Sequence, residues 1–265
     1  MVKSIHQSSL GMMIRCAEAF RRRYIEGEKV PPSIAMARGT AVHRVNEENL
    51  SYKQISEADL PVNDMTDVAR DSYYQAFEPY GGSPYLTREE KNQKDKLMNE
   101  GLNDAVKLTG LYANQVAPTI TKVIAIEHEF KIDLGVPGIT LPIAGRIDYT
   151  NDISQLSDLK TVKRSWAEGQ IEKELQPIFY SIAHEVEHGM RPRFVYNILV
   201  ALKKEAKLQV QDIVISDRQL QILVTRLVAF CKALETGTFL PADMGHWFCS
   251  EKYCGYYQTC KFVGN

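Results

Sequence analysis

Through the first 115 residues, apolar positions recur every three or four places, the spacing of helices that share one core. Over residues 8–23, Leu10, Met13, Ile14, Ala17 and Phe20 lie on one stripe, which Pro31-Pro32 ends. Ser33 is placed to cap a second helix carrying Ile34, Met36, Ala37, Ala41, Val45 and Leu50. Asn63-Asp64 predicts another start, with an end near Gly81-Gly82. Thr87-Arg88-Glu89-Glu90 reads as a capping box opening a long helix that reaches about Asn114.

The pattern changes period at Thr119. Residues 122–132 alternate and are rich in β-branched side chains, which predicts a strand. Residues 139–149 predict a second strand, Asn151-Asp152 a turn, and residues 153–160 a hairpin partner. A helix is expected over 168–189, closed by Gly189 and Pro192, although Pro177 favours a first helical turn and moves the start towards Leu175. Strands follow at 193–202 and 209–215. A helix capped by Ser216 or Asp217 then runs to about residue 235. Helices, three strands, a helix and more strands make an α/β pattern: a central mixed sheet flanked by helices. The chain divides into a helical region (1–118), a core (119–240) and a cysteine-rich tail (241–265).

Composition narrows the class. With 265 residues, 44% hydrophobic and 25% charged, the chain can bury a sizeable core. Its net charge of −1 excludes a globally basic nucleic-acid binder, so any such surface has to be local. No apolar run nears the roughly 20 residues that span a bilayer, and no signal-peptide pattern opens the chain. The expected location is cytoplasmic. Five cysteines in that compartment point to metal rather than disulfides.

The candidate chemistry lies in the predicted hairpin. Gly145-Arg146-Ile147-Asp148 closes one strand, and Asp158-Leu159-Lys160 sits on the next. Side chains alternate along a strand, so Asp158 and Lys160 share a face, and the hairpin can bring Asp148 beside them. Two carboxylates for divalent metal and a lysine for the attacking water suit phosphodiester hydrolysis. The acid-x-Lys triplet alone means little, because Glu89, Glu129 and Glu205 each open another. Its value comes from the strand context, where charged groups on an apolar strand need a partner or a task.

Taken in order, Gly39-Thr40-Ala41-Val42-His43, Gly145-Arg146-Ile147-Asp148, Asp158-Leu159-Lys160 and Gln176-Pro177-Ile178-Phe179-Tyr180 resemble the RecB-type branch of the PD-(D/E)XK nuclease superfamily. The resemblance implies a restriction-endonuclease-like core and catalytic roles for Asp148, Asp158, Lys160, Gln176 and Tyr180. It implies that His43, Asp148 and Asp158 ligate Mg2+ or Mn2+. Of the further acids Glu47, Glu127 and Glu129, Glu127 is preferred. Gln176 and Tyr180, four apart, share a helical face.

The cysteines extend the likeness. Cys16 near one end and Cys249, Cys254 and Cys260 near the other resemble the iron–sulfur exonucleases of that branch, the CRISPR-associated and AddB-nuclease-like members. The resemblance implies a [4Fe–4S] cluster on four thiolates. The spacing departs from the family at one place: four residues separate Cys249 from Cys254, where two are expected. Structural Zn2+ and plain buried thiols stay open as alternatives. Cys231, on an apolar helix, reads as a core residue.

Lys163, Arg164 and Trp166, just past the predicted catalytic strand, offer cations and an aromatic face for DNA. No Gly-x-x-x-x-Gly-Lys-Ser/Thr loop is present, so no intrinsic ATPase is expected. The expectation is a metal-dependent DNA exonuclease acting on ends or single strands in recombination, repair or phage DNA processing. A recombination or CRISPR-adaptation protein is a candidate partner, and no membrane association is expected. Two alternatives remain: a non-catalytic DNA-binding scaffold with a structural metal cluster, and a structure-specific endonuclease.

Overall fold

The computed structural model describes residues 2–152 and 154–263. Among them, five strands form one sheet in sequence order: β1 (Ala125–Ile132), β2 (Ile143–Asp152), β3 (Gln155–Val162), β4 (Arg193–Ala201) and β5 (Ala206–Val214). The β3–β4 pairing is parallel and the other three are antiparallel. The sheet is therefore mixed. A parallel pair needs a crossover, and α6 (Leu175–His188) supplies it. β2 continues through Asp152, so Asn151-Asp152 belong to the strand and not to the expected turn, and Ile153 lies outside the described residues.

Helices cover both faces. On one side lie α1 (Gln7–Arg15), α6 and α7 (Asp217–Thr236), contributing Leu10, Phe179, Leu227 and Phe230 to a core with Phe194, Ile198 and Val200. On the other lie α3 (Ile34–Ser56), α4 (Val62–Gln75) and α5 (Lys94–Gln115), contributing Val42, Val45, Leu108 and Tyr112 to a core with Leu159, Leu199 and Ala201. β4 thus buries both faces, which explains its near-continuous apolar run. Each fully buried Phe or Leu contributes about 1.5–3 kcal/mol.

Caps fall where the polar signals put them. Ser33 accepts from the Met36 N–H at the head of α3, and Ser216 with Gln219 forms a capping box at the head of α7. Several boundaries differ from expectation, among them the end of α4 at Gln75 and the start of β2 at Ile143. The helix expected over 8–23 breaks at Cys16, whose backbone is extended (φ −165°, ψ 106°). The short α2 (Ala17–Phe20) follows, and then a π turn over Arg21–Ile25. At the break, the Ala17 and Glu18 N–H groups donate to Leu240 O, at 3.0 and 3.3 Å. Thr87 and Glu90 do exchange capping hydrogen bonds, but they close a turn, and α5 starts only at Lys94. The helix expected over 168–189 starts at Leu175, with Pro177 in its first turn, the start that this proline favours.

The tail packs against the start of the chain. Phe248, Cys254 and Tyr256 form a small core with Ala19. Arg22 lies over the Tyr256 ring at 4.7 Å and donates to Thr259 Oγ1 at 2.7 Å. Ile5 bridges to Ile143 of β2, so the first residues extend the sheet's hydrogen bonding.

Candidate active site

The β2–β3 pairing is short. Its last rung joins Tyr149 to Ser157, and beyond that rung the two strands part. Asp148 and Asp158 are the next residues on each strand, so both carboxylates stand at the fork. Asp148 Oδ2 accepts the Leu159 N–H at 3.2 Å, a side chain taking the place of a missing ladder bond. It also lies 3.0 Å from His43 Nδ1, delivered by α3.

Asp158, 1% exposed, faces the α6 side of the sheet. Its Oδ1 accepts from Gln176 Nε2 at 2.5 Å. Its Oδ2 makes no hydrogen bond and faces Lys160 Nζ at 3.0 Å. Lys160 Nζ donates to Gln176 Oε1 at 2.5 Å, so one amide orients both the acid and the lysine. The sheet, α3 and α6 therefore bring together two sets, His43 with Asp148 and Gln176 with Asp158 and Lys160, which act on each other electrostatically.

The electrostatics separate the two acids. Burial opposes charge on Asp148, but His43 and the Leu159 N–H outweigh it and hold the carboxyl below its ordinary range. Burial and the nearby Asp148 push Asp158 up, against the pull of Lys160 and His43. Burial works against a charged His43 too, yet Asp148 raises it to about 9, which favours imidazolium. His43 faces the Asp148 carboxylate and Lys160 faces the Asp158 carboxylate.

Glu127 stands opposite Asp148, between the Ile126↔Tyr149 and His128↔Ile147 rungs. Its backbone is left-handed, at φ +50°, a conformation costing a non-glycine residue on the order of 1 kcal/mol. Burial and then Asp148 push its carboxyl up, while Arg146, its ion-pair partner, pulls it down. Glu47 pairs with Arg44 on α3, and Glu129 is exposed.

Tyr180 is 8% exposed and lies edge-on to Phe130, with ring centroids 5.6 Å apart. Its position one turn after Gln176 puts it against Gly145. A Cβ at Gly145 would meet Phe130 Cζ at 2.6 Å and Tyr180 Cε1 at 3.1 Å, so this glycine is required by close packing. The sequence reading missed Tyr196. Its hydroxyl donates to Gln176 Oε1 at 3.1 Å, and its ring lies 5.2 Å from Lys160 Nζ. The parallel Asp158↔Tyr196 register puts it there.

The DNA-contact candidates occupy different settings. Lys163 is ion-paired to Asp104 of α5, and Arg164 is exposed. Trp166 is half-buried and packs at a right angle to Tyr196, ring centroids 5.3 Å apart.

At the chain's two ends, Cys16, Cys249, Cys254 and Cys260 line one cavity of about 230 Å3. Burial raises the Cys249 and Cys254 thiols, with neighbouring cysteines adding to it. Cys231 is buried in α7 and accepts the Thr140 N–H at 3.4 Å. Among the described residues, no group of three or more His, Cys, Asp or Glu side chains has the arrangement of a ready metal site. The donor sets still suit metals. Hard carboxylates, one of them with a buried oxygen that faces only Lys160, would suit Mg2+ or Mn2+, and thiols that line one cavity would suit a soft metal centre.

Two acids stand at a strand fork, with a lysine two residues past the second. The chain belongs to the PD-(D/E)XK nuclease superfamily, whose pattern it matches over residues 5–261. Its restriction-endonuclease-like fold is shared by a solved protein from Eubacterium rectale named "Putative exonuclease". That structure aligns at TM-score 0.59 with 10% identity, over 99% of this chain and 90% of that one. A second solved structure, SSO0001, aligns at TM-score 0.44 with 14% identity, over 100% of this chain and 89% of that one, too loosely to carry weight. No curated protein matches the sequence. Among the described residues, no helix is long and apolar enough to cross a membrane.

Proposed function

We propose that this protein is a Mg2+- or Mn2+-dependent DNA exonuclease of the RecB type, working on DNA ends in recombination, repair or phage DNA processing. The observation that carries the reading is the pairing of Asp148 and Asp158 at the β2–β3 fork, with Lys160 Nζ 3.0 Å from Asp158 Oδ2. The superfamily match supports nuclease chemistry, and the name of the Eubacterium rectale protein favours an exonuclease.

Asp148 and Asp158 would hold the divalent cation, with His43 and Glu127 at its margin. When bound, the cation supplies charge neutralisation at the phosphate and a more acidic water. Lys160 holds the attacking water and offsets negative charge growing on the phosphate. Gln176 positions Lys160 and Asp158 together, and Tyr196 fixes the Gln176 amide by donating to its oxygen. Cys16, Cys249, Cys254 and Cys260 would hold a [4Fe–4S] cluster that ties the tail to the start of the chain.

Digestion of end-labelled single- and double-stranded DNA, each end labelled in turn, tests the activity. Stepwise loss from one end with Mg2+ or Mn2+ is expected. Nicking of covalently closed circles would replace the exonuclease with an endonuclease, and no cleavage with either ion would overturn the nuclease. Protein purified without air should be brown, with about four irons per chain. A colourless preparation with stoichiometric zinc would exchange the cluster for zinc.

A further inference from the structure

β3 and β4 run parallel, so their carboxyl ends lie side by side, with Val162 opposite Val200. Lys163 follows the first end. Lys203 and Lys204, both exposed, follow the second in the turn to β5. α5 joins them: Lys107 Nζ donates to Leu202 O at 2.8 Å, at the root of that turn. Beneath, Asp104 of α5 is ion-paired to Lys163 and lies 3.1 Å from Lys107 Nζ. Arg38 of α3, 3% exposed, lies 3.8 Å from the same carboxylate, and its buried Nε has no hydrogen-bond partner.

The charge count is uneven. Five cations meet two carboxylates, Asp104 and the exposed Glu205, in a chain whose net charge is −1. A structural ion pair needs one partner per charge. Here Asp104 faces three cations. Arg38 balances it from the buried side, which leaves the ammonium charge of Lys107 and Lys163 in excess at the surface. The place is also informative. Lys163 is three residues past Lys160, about 10 Å along the strand. Arg38 is five residues before His43, about 8 Å along α3. The excess charge therefore lies just past the end of β3 and within two turns of His43 along α3, on the α5 side of the sheet.

We propose that Lys107, Lys163, Lys203 and Lys204 form a phosphate track that holds the nucleic-acid backbone beyond the scissile bond, with Asp104 and Arg38 setting the lysine positions from beneath. The proposal rests on the reading of the substrate as DNA. The track binds phosphates without reading bases, so its contribution is electrostatic and fades with salt.

The test is binding of a fluorescein-labelled DNA duplex of about 20 base pairs, in EDTA, followed by anisotropy across a salt series. The parent is compared with a Lys163→Gln/Lys203→Gln/Lys204→Gln triple variant. Each phosphate that a lysine no longer neutralises should flatten the log K against log salt slope by about 0.9. The triple variant should show two to three such steps and bind at least about tenfold more weakly at low salt. A folded variant with the parent's slope and affinity would overturn the track. If the triple variant does not fold, Lys203→Gln/Lys204→Gln alone should flatten the slope by one to two steps, and an unaltered slope would overturn the track equally. Lys163→Arg should keep the parent's slope. Binding in EDTA is read separately from cleavage. A parent that binds steeply but never cleaves sinks the proposed nuclease and keeps the track. A parent that cleaves while the variants bind unaltered does the reverse.

Discussion

The carboxylate fork and the cysteine cavity assemble their residues in opposite ways. At the fork, regular structure fixes every group: β2 and β3 hold the acids, α3 holds His43, α6 holds Gln176, and protein cations satisfy the charges. At the cavity, three of four thiols come from a tail whose regular structure, among the described residues, is a single 3-10 turn at Tyr257–Thr259. The tail is held by contacts such as Arg22 on Tyr256 and the Tyr85 hydroxyl donating to Glu251 O at 2.7 Å. On the proposed reading, the fork would keep its shape before a cation arrives, whereas the cavity would gain its shape from what the thiols bind. Loss of metal should therefore stop chemistry at the first and loosen the fold at the second.

The sharpest way to break this contrast is Asp158→Asn. Asparagine keeps the shape and removes a buried charge, so cleavage should fall by about 10³-fold or more, a barrier increase of roughly 4 kcal/mol. The melting temperature should hardly move. Turnover on labelled DNA and a thermal melt check the two halves, and a variant that unfolds would mean the acid is structural. Next comes Gln176→Ala, which frees Lys160 and Asp158 from their common amide. Activity should drop by about 10–100-fold, as for other residues that orient a metal site from behind. Turnover within twofold of the parent would remove Gln176 from the site.

Cys16→Ser probes the other side of the comparison. It should abolish the visible colour and lower the melting temperature by roughly 5–10 °C, each kcal/mol being worth about 2–4 °C in a chain of this size. EDTA, by contrast, should stop cleavage without such a shift. A melt unmoved by Cys16→Ser would show that the cavity holds itself open. The smallest effect expected is Gly145→Ala. Its Cβ would press on Phe130 Cζ at 2.6 Å, costing about 1–3 kcal/mol of stability by overpacking. Urea unfolding measures it, and an unchanged midpoint would show that Phe130 moves aside freely.

Much of this was readable along the chain, and most of the misses, though not the Thr87–Glu90 turn, come from long-range contacts. Short-range signals held: Ser33 and Ser216 cap their helices, and the change of period at Thr119 marks the sheet. The pairing of Asp148 with Asp158 was legible because a hairpin joins them. Long-range events were not. The Leu10-to-Phe20 stripe gives no hint of the break at Cys16, because the carbonyl of Leu240 takes the N–H groups there. Tyr196 looked like one more apolar-strand residue, since only the parallel register sets it beside Asp158. The ion pair of Lys163 with Asp104 was not legible either, because the two lie fifty-nine positions apart in sequence.

The most direct test is to soak crystals with Mn2+ and locate the ion by its anomalous scattering. A peak in contact with carboxylate oxygens of both Asp148 and Asp158, absent from the Asp158→Asn protein, is the expected result. A fully loaded crystal with manganese elsewhere, or with none at the strand fork, would contradict the account.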